Sequence, residues 1–318
     1  MVSVGGRGFF CLFAKAIGAL KGLVHRVRGG VYTVALESGE VLDASLRGRL
    51  KLEKRTGDQV VIGDRVRVAG DGDGAHTIEE IFPRRTSITR TRFGGRSVKV
   101  LVANADRMLV VVAAARPKTR RDLIDRLLVV GESGGVASVL VVNKMDLEGA
   151  ADLAEELERV YEPIGYQVVR VSAQTGEGLD RFGEQICEGI AVLAGPSGVG
   201  KSSLVNAFEP EHELRTGELS RKRGTGRHTT VNASLIQLGC GGLVADTPGF
   251  SDVGIWGVGR AELDGCFPEF RPLVENCRFR GCSHIHEPDC AVRSALEEGT
   301  IDSGRYESYR LIFEESGP

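Results

Sequence analysis

One stretch of this chain can fold in very few ways: Ile190-Ala191-Val192-Leu193-Ala194 runs straight into Gly195-Pro196-Ser197-Gly198-Val199-Gly200-Lys201-Ser202. Five consecutive apolar residues read as a strand buried on both faces, and Ser203-Leu204-Val205-Asn206-Ala207-Phe208 continues as a helix. Between them lies G-x-x-x-x-G-K-[ST], the loop whose backbone N–H groups wrap phosphate oxygens at a helix N-terminus. Lys201 would neutralise charge on the β/γ-phosphates, and the Ser202 hydroxyl would ligate Mg²⁺. The loop alone does not choose a base. A guanylate-kinase-like enzyme or an ATPase would carry it equally well.

The surrounding sequence places the loop in a parallel sheet covered by helices. Further apolar runs at Met108–Val112, Val139–Val142, Val168–Val171 and Leu243–Ala245 alternate with helical stretches such as Ala151–Val160. Asn143-Lys144-Met145-Asp146 follows one of these strands directly. The Asp146 carboxylate can accept two hydrogen bonds from the ring N–H and exocyclic amine of guanine, a pair that adenine does not offer. Asn143 would tie neighbouring loops together, and the Lys144 stem would lie over the base. Ser172-Ala173 ends the next strand, where a backbone amide can meet the guanine oxygen. Asp246-Thr247-Pro248-Gly249 follows Leu243–Ala245, so that Asp246 can hold Mg²⁺ through water and the Gly249 amide can sense the γ-phosphate. Gly226-Arg227-His228-Thr229-Thr230 precedes it in a glycine- and charge-rich stretch, and its threonine would complete the Mg²⁺ shell.

The order of these motifs is unusual. Most GTPases place the phosphate loop first and the base-reading motifs last, whereas here Asn143 and Ser172 precede Gly195. Loops that all leave one edge of one sheet survive a circular permutation that joins nearby termini. The same permutation brings Asp246 up against the C-terminal piece. It predicts that γ-phosphate sensing is mechanically coupled to that piece.

Residues 21–92 read differently, as short alternating strands punctuated by turns. Gly30–Leu36, Val41–Ala44, Val60–Val68 and Thr77–Ile81 suggest a small closed barrel, an OB-fold or an SH3-like barrel. From about residue 254 to 318 the chain is mainly helical and carries Cys277-x4-Cys282-x-His284-x5-Cys290. Three thiolates and an imidazole so spaced make a closed tetrahedral Zn²⁺ site of structural type, with His286 the competing imidazole. The remaining cysteines (Cys11, Cys187, Cys240 and Cys266) are scattered, a pattern that points to reduced thiols and not to a disulfide framework.

Composition supports an ordinary globular chain: 318 residues, 42% hydrophobic, 26% charged, formal net charge −2. Basic clusters at Arg84–Arg96, Arg116–Arg121 and Arg221–Arg227 leave room for a polyanion-binding face. The apolar run Gly8–Leu20 is broken by Lys15 and is too short to span a membrane, so residues 1–20 read as an N-terminal extension. A GTP site places the protein in the cytoplasm.

Taken together, these residues resemble the circularly permuted bacterial GTPases that help mature the small ribosomal subunit, the RsgA/YjeQ family. The resemblance runs from about Lys21 onward through the barrel, the permuted order, Gly226–Thr230, the cysteine–histidine pattern and Arg305-Tyr306. It implies an OB-fold at 21–92, a permuted GTPase domain at 93–253 and a zinc-binding domain at 254–318. It implies a monomer that binds GTP and GDP, and whose barrel and zinc domain contact 16S rRNA in the 30S subunit, with hydrolysis driving release. The expected GTP-binding residues are Asn143, Lys144, Met145, Asp146, Ser172, Ala173, Gly195, Pro196, Ser197, Gly198, Val199, Gly200, Lys201, Ser202, Ser203 and Gly249. Ser202, Thr230 and Asp246 are the expected Mg²⁺ ligands. Where many GTPases carry a water-positioning Gln, this chain has Phe250, and the resemblance gives that role to His228. Phe250 also keeps open an RNA-binding assembly module that uses GTP only as a conformational ligand. A nucleoside monophosphate kinase fits the phosphate loop but not Asn143–Asp146.

Overall fold

The computed structural model describes residues 20–47, 59–70, 74–91, 98–210, 233–246 and 258–316. The N-terminal strands β1 (Leu20–Arg28), β2 (Val31–Leu36), β3 (Val41–Leu46), β4 (Arg65–Gly70) and β5 (His76–Ile81) close into a barrel. The order around it is β1-β2-β3-β5-β4 and back to β1, with β3 and β5 parallel and the other pairs antiparallel. This is the OB arrangement, which strand count alone left open against an SH3-like one. Every second residue of β2 and β3 points inward, and Val24, Tyr32, Val34, Leu42, Val66, Val68 and Ile78 fill the interior.

The barrel is joined to the next domain through its backbone. The ladder of β1 shifts register between Val24 and Arg26, a bulge that bends the strand. Its first half pairs with β4, and its second half pairs with β12 (Ala233–Gln237) of the central sheet, Arg26 opposite Ser234 and Val27 opposite Ala233. A hairpin of β6 (Ser87–Thr91) and β7 (Val98–Ala103) lies alongside and pairs across the 92/93 boundary expected from sequence. Ala103 N donates to Ile62 O at 3.0 Å, and the buried Asn104 amide donates to Gly63 O at 2.8 Å.

The central sheet has the order β10-β9-β8-β11-β13-β12, and β12 alone runs antiparallel to its neighbour. Its remaining strands are β8 (Arg107–Val112), β9 (Ala137–Val142), β10 (Gln167–Arg170), β11 (Ile190–Ala194) and β13 (Leu243–Asp246). Helices α1 (Arg121–Ser133) and α2 (Ala150–Tyr161) cover one face; α3 (Leu179–Ile186) and α4 (Lys201–Phe208) cover the other. Alternate residues of β8 serve different cores: Met108, Val110 and Val112 pack under α1 and α2, while Leu109 and Val111 pack under α3. That explains the unbroken apolar runs.

The C-terminal piece contains α5 (Arg260–Leu263), α6 (Ala291–Glu297) and α7 (Ser303–Glu315). Asp302 caps α7 by accepting from the backbone N–H groups of Gly304 and Arg305. Phe267, Phe270, Tyr309 and Ile312 form its core, to which Val129 of α1 also contributes. Among the described residues no helix is long and apolar enough to cross a membrane. One cysteine expectation is overturned: Cys187 and Cys240, 53 residues apart, are bonded to each other. Their proximity is created by the fold and leaves no local trace in the sequence.

Candidate nucleotide site and metal cluster

The expected site residues that fall within the described segments converge on the C-terminal edge of the sheet. The 195–200 loop leaves β11 and enters α4 through Gly200, whose φ of +99° belongs to the left-handed region. A Cβ at Gly200 would stand 2.3 Å from Asn143 Nδ2, so the close approach of the two loops depends on this glycine. Lys201 is buried and donates from Nζ to Gly195 O at 2.7 Å and to Pro196 O at 3.0 Å. Burial lowers its pKa to about 8. An ammonium held in this way on the carbonyls of the loop can take the charge of a polyphosphate. Ser202 is half-buried in the first turn of α4, and Ser203 is exposed beside it.

Asn143 is the joint of the site. It is buried, its Nδ2 donates to Val199 O at 2.7 Å, and its Oδ1 accepts from Ala173 N at 3.2 Å. One side chain therefore fastens the loop after β9 to the phosphate loop and to the loop after β10. Lys144 adopts φ +65° and sends Nζ to Gly198 O at 2.8 Å and to the Arg116 carbonyl. Asp146 is exposed, and its Oδ1 accepts from the buried Ser172 Oγ at 2.5 Å. That bond orients the carboxylate and leaves its second oxygen to be contacted. Met145 N donates to Val171 O at 3.2 Å, and its side chain packs on the apolar core.

Asp246 ends β13 half-buried, on the strand next to β11. His228, Thr230, Gly249 and Phe250 lie outside the described residues. The segment before α1 belongs to this edge as well, since Arg116 O receives Lys144 and Thr119 Oγ accepts from Ala113 N at 3.0 Å. In the sequence Arg116 is only one member of a basic cluster. Nothing local announces that its carbonyl meets a lysine 28 residues on.

Cys277, Cys282, His284 and Cys290 bring their ligand atoms within 4.8 Å of one another. His284 Nδ1 lies 3.6 Å from Cys277 Sγ and 3.4 Å from Cys290 Sγ. Its Nε2 faces Asp264 Oδ2 at 3.6 Å, the carboxylate behind the imidazole that typically fixes a metal-binding ring. Burial disfavours the charged form of His284, and neutral imidazole is the ligating form. Burial also raises the Cys282 thiol to about 12. These four residues can hold a metal ion, whose charge would be needed to stabilise the thiolates. His286 is exposed and outside the cluster. Asp264 was not legible in the sequence, lying 20 residues before the histidine it faces.

The RsgA GTPase family profile matches residues 81–256. The "Small ribosomal subunit biogenesis GTPase RsgA" of Gemmatimonas aurantiaca is 45% identical over 301 residues, covering 92% of this chain and 96% of that protein. The protein of the same name from Moorella thermoacetica is 40% identical, covering 93% and 97%. The crystal structure of YjeQ from Thermotoga maritima superimposes with a TM-score of 0.77 at 35% identity, covering 93% of this chain and 98% of that one. YloQ, described as a circularly permuted GTPase, gives 0.72 at 30% identity, covering 95% and 96%.

Proposed function

This chain belongs to the RsgA GTPase family and is a GTP-hydrolysing enzyme, and from that premise we propose that it works on the 30S ribosomal subunit during late maturation. The observation that carries the reading is the three-way tie at Asn143, which assembles the phosphate loop and both base-side loops into one site although the chain visits them in permuted order.

In this reading Asp146 accepts from the guanine N–H and amine, a backbone amide of the loop that begins at Ser172-Ala173 meets the guanine oxygen, and Lys144 covers the base. The 195–203 loop cradles the phosphates, with Lys201 opposing the β/γ charge. Mg²⁺ accompanies GTP and would be held by Ser202, Thr230 and, through water, Asp246. It supplies charge neutralisation on the phosphates. Gly249 senses the γ-phosphate, and His228 orients the attacking water in place of the Gln that Phe250 replaces. Zn²⁺ is the ion best suited to Cys277, Cys282, His284 and Cys290, where it stabilises a domain with a small core of its own. The barrel and this domain contact 16S rRNA, chiefly through phosphates, and the protein acts as a cytoplasmic monomer.

GTP turnover measured with and without purified 30S subunits tests the proposal. Stimulation by the subunit, abolished in His228→Ala, is the expected result. Tight GTP-dependent binding to 30S with no turnover above background would replace it with the reading that Phe250 favours, GTP as a conformational ligand only.

A further inference from the structure

The described cysteines sort into three groups. Cys277, Cys282 and Cys290 belong to the metal cluster, and Cys266 is buried, its thiol pushed up to about 12 by burial. Buried thiols of that kind are inert. Cys187 and Cys240 remain, bonded to each other, the first half-buried and the second exposed. Neither takes part in the nucleotide site or the metal cluster.

Their places in the fold are specific. Cys187 caps the end of α3 and opens the short link Cys187–Gly189 into β11. That link is the seam of the permuted domain, where the base-side half runs on into the phosphate-loop strand. Cys240 sits in the turn between β12 and β13, the hairpin that ends at Asp246. Backbone contacts hold the two positions together alongside the sulfurs. A Cβ at Gly242 would stand 1.9 Å from Ile186 O and 2.8 Å from Cys187 Cα, so only glycine permits the hairpin to lie against the end of α3. Leu243 N donates to Gly189 O at 2.9 Å, Leu238 N donates to Gly242 O at 2.8 Å, and the Glu209 carboxylate accepts from Gly239 N at 2.9 Å. None of these contacts involves a sulfur, and the Cα–Cα separation of 5.4 Å suits a disulfide.

We infer that Cys187 and Cys240 form a reversible dithiol–disulfide site, oxidised by low-molecular-weight disulfides, that fastens the seam of the central domain to the β12–β13 hairpin. In a reducing compartment such a pair opens and closes and does not serve as a permanent brace. The exposed Cys240 thiolate attacks one sulfur of the small disulfide, whose S–S bond breaks and expels one thiolate. The Cys187 thiolate then attacks Cys240 Sγ, closing the protein bond and expelling the second thiolate. The protein dithiol loses two electrons and two protons, and the small disulfide gains them as two thiols. Closing a loop across 53 residues restricts the unfolded chain and so raises resistance to heat.

The test uses the full-length, metal-loaded protein treated with glutathione disulfide. Among the cysteines of the described residues the expected result is loss of the Cys187 and Cys240 thiols alone, with peptide mapping locating the bond. The unfolding midpoint should rise by roughly 5 °C or more and return on reduction. In Cys187→Ser the glutathione adduct should persist on Cys240, whereas Cys240→Ser should accumulate none and show no shift. The inference is overturned if the oxidised thiols are those of the metal cluster, if the midpoint is the same in both states, or if Cys187→Ser leaves Cys240 unmodified.

Discussion

Arg305 on the last helix donates from Nη1 to Asp125 Oδ1 on α1 at 2.7 Å, and both side chains are withdrawn from solvent. The same oxygen accepts from Tyr161 Oη at 2.6 Å, and Arg305 Nε and Nη2 engage the Glu269 carboxylate at 2.7 and 3.0 Å. The guanidinium lies 4.5 Å from the centre of the Phe267 ring. The C-terminal piece is therefore docked on the central domain through a buried charge cluster, with α1 on one side and α7 on the other.

Breaking that cluster from one side should be severe. Arg305→Met leaves Asp125 and Glu269 buried without their cation, at a cost of about 3–5 kcal/mol in denaturant unfolding. Pairing it with Asp125→Leu should restore part of the loss. A single substitution no worse than the double one would show that the ion pair does not dock α7.

Asp146→Asn should exchange base preference. The amide can no longer accept two hydrogen bonds from guanine but can donate to the extra carbonyl of xanthine. Affinity for GTP should fall about 100-fold or more while that for xanthosine triphosphate rises, read by titration of fluorescent analogues. Ser172→Ala should give a weaker loss in the same direction, because it frees the Asp146 carboxylate from its 2.5 Å bond without removing it.

Lys201 sets a pH dependence whose sign follows from burial. Its folded-state pKa is lowered to about 8 from 10.5. Below about pH 8 the amine is charged in the folded and unfolded chains alike; between the two values the unfolded chain holds more protons, so stability of the nucleotide-free protein rises with pH. Bound phosphates favour the ammonium, so binding takes up a proton once the free site has lost it. GDP affinity should be flat up to about pH 8 and fall above it. Calorimetry in buffers of different ionisation enthalpy would detect the proton uptake, and its absence above that pH would contradict the assignment.

The metal cluster makes a separate prediction. Purified protein should carry one zinc per chain by elemental analysis, lost in Cys290→Ser and His284→Ala and kept in His286→Ala. Asp264→Asn should weaken metal affinity about 10-fold, the lower end for a group that orients a ligating histidine. Chelation should abolish the near-ultraviolet dichroism of the packed rings Phe267, Phe270 and Tyr309 while leaving nucleotide binding intact.

Most of this molecule was legible wherever the signal is local. The strand at Ile190–Ala194 matches its expected limits, and that at Met108–Val112 begins one residue early, at Arg107, because an apolar run flanked by a phosphate loop or a base-side motif has one reading. The four metal-cluster residues were legible from spacing alone. What stayed hidden depends on residues far apart in the chain. Arg305 and Asp125 are 180 positions apart, and neither an arginine in a first helical turn nor an aspartate on an amphipathic helix announces a buried partner. Cys187 and Cys240 read as isolated thiols because the glycine that lets them meet, Gly242, looks like any other turn residue. The join of β1 to β12 was equally silent, since both strands have the alternation proper to their own domains.

That join has a consequence for how the protein can move. Peptide groups unite the barrel with the central domain at Arg26–Val27 and again at Ala103–Ile62, and the Asn104 side chain adds a bond to Gly63 O. Turning the barrel would require unzipping a ladder, whereas lifting α7 would break side-chain contacts such as Arg305 with Asp125, Arg121 with Asp302, Arg126 with Glu315 and the packing of Val129. The molecule should therefore articulate as two bodies and not three. The barrel and nucleotide domain should then keep a constant span, and the C-terminal piece should be the body whose angle can change.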